Sequence, residues 1–420
     1  MKVCIFEDET YANFYPLSLT RPVFELKCGY FTLRERIQTH LGTDKVCYFM
    51  RDYLASWFER YYGLPVNKMD SLMGDDVLFV NGRWLMQKDE LKLEGEEEAG
   101  FFNDTLLYLR ARKKTLQDIY SDNLNLREIL TGLAENTKSK KIKVTLINYP
   151  WDLINNNASQ MEKDFILLGK VGIKGTFPSG SFIEGDSDKI FIASSAEIEP
   201  LVVLSTKSGP IFIDEGAKVL SLTRIEGPCY IGRNSQAKGN IREGTYIGPV
   251  CRVGGGEIEE TIIHGFTNKY HEGFIGHSYL GEWVNIGALT TTSDLKNDYT
   301  SVQVYINGEL RDSGQTKVGS FIGDHSKTGI GTLLNTGCVI GVGSNVVAGG
   351  GVTPKHIPSF CWYLNQKFYK GSGLKGTINT AKVVMERRGV RLSSEQERIL
   401  EEVFKITDGE RKEMIARSRR

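Results

Sequence analysis

Three of the six histidines lie close together in the chain, with His264, His271 and His277 seven and six residues apart. Imidazole titrates near neutral pH, so one such ring beside a substrate could act as a general base. Three neutral imidazoles could instead hold a zinc ion, but only if all three rings reach one ion in tetrahedral geometry. Which chemistry applies depends on where the backbone places these side chains.

A second group of polar residues lies in the first hundred residues. The apolar segment at 2–6 is followed by Glu7-Asp8-Glu9, and the apolar segment at 77–80 is followed by Asn81-Gly82-Arg83. Helical patterns at 31–41 and 54–62 alternate with these segments and with a further strand pattern at 46–50. The alternation predicts a parallel α/β sheet, in which ligands bind beyond the carboxyl ends of the strands.

The histidines lie within a six-residue repeat that runs from about residue 211 to residue 352. Its leading positions are mostly aliphatic: Ile213, Val219, Ile225 and Ile231; Ile241, Ile247 and Val253; Ile262, Asn268, Phe274, Leu280, Ile286 and Thr292; Ile322, Thr328, Leu334, Ile340, Val346 and Val352. A hexapeptide repeat predicts the stacked triangular coils of a parallel β-helix, with one inward side chain per face. Sandwich strands would instead show period-two alternation and hairpin turns, which are mostly missing from this stretch.

The repeat breaks between Thr292 and Lys317, and the polar sequence there predicts an excursion with a small hairpin around residues 306–309. Residues 147–157 are predicted to form a hinge in which Pro150 ends a strand and a short helix follows. We expect an α/β domain at 1–165, a β-helix domain at 166–366 and a helical tail at 367–420. In the tail, amphipathic helices are predicted at 378–389 and 393–406, with a capping box of Ser394 and Glu397.

Composition limits the possible partners and environment. Lys and Arg total 52 and Asp and Glu total 52, so the charge balance favours neither a nucleic-acid partner nor a polybasic membrane contact. The seven cysteines are scattered and form no CxxC pair, which favours reduced thiols in a cytoplasmic protein over disulfides or structural zinc. The sequence has no apolar run of about 18 residues, so we expect no membrane span.

Five strings carry a resemblance to a known family: FYPLSLTRPVFELKCGYFTLRERI, LFVNGRWL, YPWDL, GHSYLGEWVNIGA and GSFIGDHSKTGIGTLLNTGCVIGVGSNV. The chain resembles the bifunctional sugar-1-phosphate nucleotidyltransferase/acetyltransferase (N-acetylglucosamine-1-phosphate uridyltransferase-like) family over nearly its whole length. It is closest to a variant bacterial branch of sugar nucleotidyltransferases. The resemblance implies a Rossmann-like domain, a left-handed β-helix and a homotrimer that holds acetyl-CoA between neighbouring chains.

For the β-helix half, the resemblance implies that a histidine removes a proton from a glucosamine-1-phosphate-like amine before the amine attacks acetyl-CoA. In the family pattern the base stands three residues before a hexad-leading aromatic, and two further hexads lead to an Asn before Ile-Gly. Counting in sixes from Phe274 favours His271, with Asn285 orienting the substrate. His277 falls one hexad later and is the second candidate.

Further site residues are implied by the same resemblance. The substrate-binding set is Arg242 for phosphate, Lys269, Tyr279, Asp294 and Lys296, and the CoA-binding set is Gly287, Ala288 and Thr332. The nucleotide-binding set is Asp8, Arg21, Lys27, Asn81, Gly82 and Arg83. Asn81 stands where the family has a metal-binding Asp, so Asp8 and Asp152 are the carboxylates expected to hold Mg²⁺ if nucleotidyl transfer takes place.

Two other functions stay open at this point. One is a non-catalytic sensor that binds sugar nucleotides. The other is a zinc enzyme of the carbonic-anhydrase-like β-helix class, which would use the three clustered histidines.

Overall fold

The computed structural model describes residues 1–119 and 125–419. These residues form two compact units. The N-terminal unit comprises Met1–Tyr11, Arg21–Leu26 and Phe31–Asn148, and the solenoid unit comprises Ala12–Thr20, Lys27–Tyr30 and Tyr149–Arg420. The solenoid unit therefore includes two short segments that come from the first thirty residues of the chain.

The N-terminal unit is built on a six-stranded sheet formed mainly by buried apolar runs. In spatial order its strands are Val46–Phe49, Lys2–Phe6, Val77–Asn81, Thr105–Ala111, Glu98–Phe102 and Ser139–Lys141. The first three are parallel, and Thr105–Ala111 is antiparallel to both of its neighbours. The helices are α1 (Leu33–Leu41), α2 (Asp52–Tyr62), α3 (Lys113–Ile119) and α4 (Leu126–Asn136). The predicted strands and helices of this region are confirmed, but the sheet is mixed and not parallel throughout, because Thr105–Ala111 is antiparallel to its neighbours.

The solenoid unit contains a parallel β-helix whose coils contribute strands to three faces. The first face has ten strands: Gly172–Ile173, Ile190–Ile192, Ile211–Ile213, Cys229–Ile231, Thr245–Ile247, Ile262–Gly265, Tyr279–Glu282, Phe321–Ile322, Val339–Ile340 and His356–Ile357. The second face also has ten strands, and the last of them is antiparallel to the strand before it: Glu197–Ile198, Lys218–Val219, Gln236–Ala237, Arg252–Val253, Asn268–Lys269, Asn285–Ile286, Lys327–Thr328, Asn345–Val347, Trp362–Leu364 and Lys367–Tyr369. The third face has six: Phe182–Glu184, Val203–Ser205, Arg224–Glu226, Asn240–Ile241, Glu257–Glu259 and Phe274–Gly276, and the paired strands Thr291–Thr292 and Leu333–Leu334 follow. We call the turn from the second face to the third the second corner, and the turn from the third face to the first the third corner.

The interior of the β-helix is a continuous apolar column, as the repeat predicts. On the first face Ile213, Ile231, Ile247, Ile263 and Leu280 stand in register on successive coils, and all five are fully buried. Each coil therefore buries the side chains of its neighbours, which is how a solenoid with short strands forms a core.

The six-residue count is wrong by one position around the histidines. Ile263, Lys269 and Ile275 face inward on that coil, in register with Leu280 and Ile286 of the next coil and Ile258 of the previous one. The predicted leading residues Ile262, Asn268 and Phe274 each precede an inward residue by one. Because Ile275 and Leu280 are five residues apart, this coil has seventeen residues and not eighteen. Counting from Phe274 therefore started from a residue that does not lead its hexad.

The remaining elements are one hairpin, four helices and several short segments. The predicted hairpin is confirmed as antiparallel strands Gln303–Ile306 and Glu309–Asp312. The expected hinge is instead the start of helix α5 (Pro150–Leu168), with Pro150 at the first helical position, where its missing N–H would have no partner. The tail forms α6 (Gly373–Glu386), α7 (Ser394–Ile406) and α8 (Asp408–Arg417), and the capping box of α7 is Ser393 with Gln396, one residue earlier than predicted. The short segments are strands Lys27–Cys28 and Phe31–Thr32 and 3-10 turns Glu9–Phe14, Val23–Glu25, Met69–Leu72 and Ser187–Lys189.

Candidate functional site

A histidine–aspartate pair occupies the third corner of the β-helix. Nδ1 of His277 lies 2.8 Å from Oδ2 of Asp294, and both side chains are mostly buried. The two residues are seventeen apart and so stack on successive coils. Gly276 makes the approach possible, because a Cβ there would lie 2.6 Å from Asp294 Oδ2. An aspartate at Nδ1 fixes the imidazole tautomer and leaves Nε2 as the proton acceptor.

Glu260 lies one coil below His277 at the same corner, again seventeen residues away. Its carboxylate lies over Gly244, where a Cβ would be 2.2 Å from Oε2. Burial raises the pKa of the Glu260 carboxyl to about 7, and the nearby His277 acts in the opposite direction. Sequence reasoning missed Glu260 and Gly276; the seventeen-residue step from His277 back to Glu260 is a signal that could have found the glutamate.

His271 occupies the second corner and has a different environment. It is exposed, and its ring makes an edge contact with Tyr270 at 5.7 Å between centroids. An open groove of about 400 Å³ at this corner is lined by Lys238, Gly255, Tyr270, His271, Glu272, Ala288 and Leu289. Within the described part of the chain, no carboxylate is hydrogen-bonded to the His271 ring. The predicted partner Asn285 is exposed on the second face, where its Oδ1 accepts a weak hydrogen bond from Asn268.

Two residues predicted to bind substrate are inside the protein. Lys269 is 2% exposed, and its Nζ donates to the carbonyl oxygens of Gly255 and His271, both at 2.7 Å. Burial lowers the pKa of this ammonium to about 8. Tyr279 is fully buried, and its hydroxyl accepts a hydrogen bond from the Lys27 N–H at 2.8 Å and lies 3.0 Å from His264 Nδ1. Neither position fits direct substrate contact, because protein groups already satisfy the polar atoms.

Arg242 lies among carboxylates on the third face. Its Nε is 2.8 Å from Glu226 Oε2 and 3.6 Å from Glu243 Oε2. Burial lowers the pKa of Arg242, but Glu226 and Glu243 outweigh that effect and the pKa lies above its ordinary value. A cavity of about 260 Å³ adjoins it, lined by Arg224, Glu226, Asn240, Ile241, Arg242 and Glu257.

The other predicted residues of the solenoid unit are spread over several places. Lys296 is engaged within its own loop, by hydrogen bonds to Thr300 and to the carbonyl of Ser301. Gly287 lies at the second corner next to Ala288, which lines the groove beside His271. Thr332 is buried, and its hydroxyl donates to the carbonyl of Gly329 at 2.9 Å, so it does not line that groove.

In the N-terminal unit, Asp8, Asn81 and Arg83 meet at the carboxyl ends of adjacent strands, as predicted. Arg83 Nε lies 3.0 Å from both carboxylate oxygens of Asp8, and Arg83 Nη2 lies 2.6 Å from Oδ2. Asn81 Nδ2 and Thr10 Oγ1 also donate to this carboxylate, at 2.8 and 2.6 Å. Burial raises the pKa of Asp8, but the hydrogen bonds and charge of Arg83 outweigh it, so the pKa lies below its usual value.

Three further predicted nucleotide or metal residues have structural partners. Arg21 is 5% exposed, and its carbonyl accepts a hydrogen bond from Arg51 Nη2 at 2.9 Å. The Lys27 ammonium lies 5.9 Å from the centre of the Tyr246 ring. Asp152 caps helix α5, because its Oδ2 accepts the Tyr149 N–H at 3.0 Å. Gly82 packs so tightly that a Cβ would lie 2.8 Å from Phe24 Cδ1.

The arrangement at Asp8 does not fit a magnesium ion. Mg²⁺ takes carboxylate oxygens in octahedral geometry, but both Asp8 oxygens already accept hydrogen bonds and Asn81 presents its N–H₂ to Asp8. The zinc hypothesis fails on geometry as well. His264 is buried against Tyr279, while His271 and His277 lie at different corners, and the described residues contain no group of three or more His, Cys, Asp or Glu placed to hold a metal ion.

Comparison with known proteins gives a family match for the N-terminal part of the chain. Residues 3–171 match the family model described as sugar nucleotidyl transferase. This match covers less than half of the chain. The matched region includes the strand ends that carry Asp8 and Arg83 and all of helix α5.

Curated relatives extend the similarity. A bifunctional sugar-1-phosphate nucleotidylyltransferase/acetyltransferase of Sulfurisphaera tokodaii is 35% identical over 144 residues, 34% of this chain and 36% of that protein. Bifunctional protein GlmU of Acaryochloris marina is 25% identical over 267 residues, 63% of this chain and 52% of that protein. GlmU of Methanocaldococcus jannaschii is 28% identical over 232 residues, 52% of this chain and 48% of that protein. The chain thus spans between about a third and about half of the length of these relatives.

A solved structure of a UDP-N-acetylglucosamine acyltransferase aligns with 47% of this chain and 72% of its own, at 14% identity and a TM-score of 0.26. The β-helix assignment rests on the strand register given above and not on this alignment. Among the described residues, no helix is long and apolar enough to cross a membrane.

Proposed function

We propose that the solenoid unit transfers an acetyl group from acetyl-CoA to the amine of an amino-sugar phosphate, with His277 as the general base. The observation that carries this proposal is the 2.8 Å contact between His277 Nδ1 and Asp294 Oδ2. It supports His277 over His271, because Asp294 holds the ring of His277 in a defined tautomer. The name of the Sulfurisphaera tokodaii relative, which pairs a nucleotidylyltransferase with an acetyltransferase, supports the reaction class.

In this reaction His277 Nε2 removes a proton from the amine as nitrogen attacks the thioester carbonyl carbon. Asp294 stabilises the resulting imidazolium through Nδ1–H, as in other base–carboxylate pairs. Collapse of the tetrahedral intermediate breaks the carbon–sulfur bond, and the imidazolium returns its proton to the departing thiolate of CoA. A positioned base of this kind contributes typically ~10²–10⁴-fold to the rate.

We also propose a role in nucleotide-sugar biosynthesis for the N-terminal unit, because it lies within the region that matches the sugar nucleotidyl transferase family model. We propose a sugar-1-phosphate and a nucleoside triphosphate as the ligands of that unit. The cytoplasm is the proposed location, since the seven cysteines are all free and buried in the structure, as in reduced proteins.

We further propose a homotrimer formed along the second corner of the β-helix. Exposed apolar side chains recur at this corner on five coils: Leu201, Leu222, Tyr270, Leu289 and Ile330. Water-exposed apolar ridges of this length are uncommon on monomers and mark contact surfaces.

The test is release of free CoA from acetyl-CoA and glucosamine-1-phosphate, measured with a thiol reagent. We expect His277→Ala to lower kcat by roughly 10²–10⁴-fold, and His271→Ala, the matched control, to change it only a few-fold. The opposite ranking would assign the base to His271. If the wild-type protein releases no CoA above the no-enzyme background, acyl transfer is wrong and a non-catalytic binding protein is left as the alternative.

A further inference from the structure

The carboxyl end of strand Lys2–Phe6, the middle one of the three parallel strands, carries two carboxylates, and each is paired with its own arginine. Glu7 follows strand Lys2–Phe6 directly, and Arg51 Nε lies 2.8 Å from its Oε2 while Nη2 lies 3.0 Å from its Oε1. The side chains of Glu7 and Arg51 are 2% and 9% exposed. Glu7 Oε1 also accepts the Val23 N–H at 2.8 Å, so both of its oxygens are engaged.

The Asp8–Arg83 pair repeats this arrangement on the other side of the strand. Arg51 follows strand Val46–Phe49 and Arg83 follows strand Val77–Asn81, and these are the two parallel neighbours of Lys2–Phe6. Arg83 is 2% exposed and also donates from Nη1 to the Ile147 carbonyl at 2.9 Å and to Asn148 Oδ1 at 2.8 Å. Three adjacent strand ends thus hold two carboxylates and two guanidinium groups that pair fork to fork.

We infer that Arg51 and Arg83 take the place of a divalent metal ion at this end of the sheet. A metal ion and a guanidinium group satisfy the same requirement, a positive charge that bridges oxygen atoms of buried carboxylates. Here Arg83 bridges Asp8 to the chain at residues 147–148, and Arg51 bridges Glu7 to the carbonyl of Arg21. Because arginine stays charged at all working pH values, this bridge is permanent and needs no ion from solution.

The consequence is a sugar nucleotidyl transferase region that binds its ligands without Mg²⁺ or Mn²⁺ at Asp8. A divalent ion could enter only by displacing a buried arginine from its carboxylate, which would leave that arginine charged and unpaired. This inference concerns the N-terminal unit and stands whether or not the solenoid unit transfers acyl groups.

The test is titration of the full-length protein with MnCl₂, following the signal of free Mn²⁺ by electron paramagnetic resonance. We expect wild-type protein to bind no Mn²⁺ at Asp8, so that Asp8→Asn gives the same titration curve as wild type. Arg83→Gln removes the charge and frees Asp8, and we expect it to bind one additional Mn²⁺ per chain. The matched control is Arg112→Gln, which breaks an exposed pair with Asp76 in the same unit and should match wild type.

Two results of the Mn²⁺ titration would contradict the inference. One Mn²⁺ per wild-type chain that Asp8→Asn abolishes would overturn the inference, as would a folded Arg83→Gln protein that binds no additional Mn²⁺. If Arg83→Gln does not fold, the comparison of wild type with Asp8→Asn decides alone: identical curves support the inference and different curves overturn it.

Discussion

The contact between His277 and Asp294 supports the proposal that His277, and not His271, is the general base. The sequence left this choice open. His277 adopts a left-handed backbone conformation with φ of 46° and lies at a corner, so its ring is aimed along the stack toward Asp294 on the next coil. The same left-handed conformation recurs at other corner residues, such as Leu222 and Leu289, so the contact with Asp294 and not the backbone conformation distinguishes His277. His271, only six residues away, lies at the other end of the third face and has no such partner among the described residues.

Asp294→Asn is expected to lower kcat for acetyl transfer by ~10²–10⁴-fold without a comparable rise in KM. The introduced amide has nearly the same shape as the carboxylate but carries no negative charge, so it cannot stabilise the imidazolium of His277. Its N–H₂ group can also donate to Nδ1 and so favour the tautomer with the proton on Nε2. Steady-state kinetics of CoA release provide the measurement. Asp298→Asn, an exposed aspartate of the same excursion, is the control and should keep wild-type kcat. An Asp294→Asn protein with unchanged kcat would contradict the proposed pairing.

Glu260 gives a prediction for the pH dependence of stability. Its pKa is raised to about 7 from an ordinary value of 4.5, so folding favours the protonated form. The stabilising contribution is present below about pH 4.5 and is lost as the pH rises through about 7. Glu260→Gln keeps a neutral group, so its unfolding free energy should exceed that of wild type at pH 8 by at most about 3 kcal/mol, and should match it near pH 4, roughly half a unit below the unfolded pKa.

Urea unfolding at both pH values would measure this difference. Glu162→Gln, on the exposed face of α5, is the control and should follow wild type at both pH values. A Glu260→Gln protein that is no more stable than wild type at pH 8 would show that the carboxyl of Glu260 has an ordinary pKa.

At the scale of elements, hydrogen bonds from one buried side-chain amide connect helix α5 to the β-helix. Asn157 is fully buried, and its Nδ2 donates to the Gly244 carbonyl at 2.8 Å while its Oδ1 accepts the Gly29 N–H at 2.7 Å. One side chain therefore joins α5, a coil of the β-helix and the segment Lys27–Tyr30, all within the solenoid unit. Asp164, one turn from the end of the same helix, adds a hydrogen bond from the Tyr30 N–H at 2.8 Å.

Asn157→Ala is expected to lower the unfolding free energy by about 2–4 kcal/mol, because it leaves a buried N–H and a buried carbonyl without their partner. Denaturant unfolding followed by circular dichroism would measure the loss. Asn155→Ala removes an exposed amide of the same helix and should change stability by less than about 0.5 kcal/mol. Equal losses of unfolding free energy in the two variants would show that the hydrogen bonds of Asn157 do not contribute to stability.

At the scale of the whole molecule, the proposed trimer depends on the apolar ridge of the second corner. Leu222 is 73% exposed and Leu289 is 57% exposed, four coils apart on that ridge. A charge at either position would have to be buried without a partner in a tight interface, which is strongly unfavourable. Substitutions on the ridge should therefore alter assembly without changing the apolar core of the chain.

Leu222→Glu combined with Leu289→Glu is expected to convert a trimer into monomers, measured as molar mass by light scattering after size exclusion. Tyr61→Glu is the matched control, since Tyr61 is 67% exposed in the N-terminal unit and should leave the mass unchanged. A wild-type mass of one chain, or a trimer that survives both ridge substitutions, would refute assembly along this corner.

Several features of this protein follow from the sequence alone. Apolar runs such as 77–80, alternating with helical patterns, determine the N-terminal sheet, and the aliphatic repeat determines the β-helix, because both signals are local and periodic. The break in the repeat, which contains the hairpin, also follows from the sequence. The histidines and the polar residues at the strand ends could be chosen as candidates from the sequence as well.

The tertiary structure decided which candidates meet, because stacking distance depends on the true length of each coil. Ile262 and Ile263 are both apolar, so either residue could occupy the inward position of the repeat. The count in sixes therefore could not show that this coil has seventeen residues. That one-residue difference places Lys269 inside the column and sets His277 against Asp294. Likewise, only the parallel pairing of three strands brought Arg51 and Arg83 onto Glu7 and Asp8, since these partners are 44 and 75 residues apart in the chain.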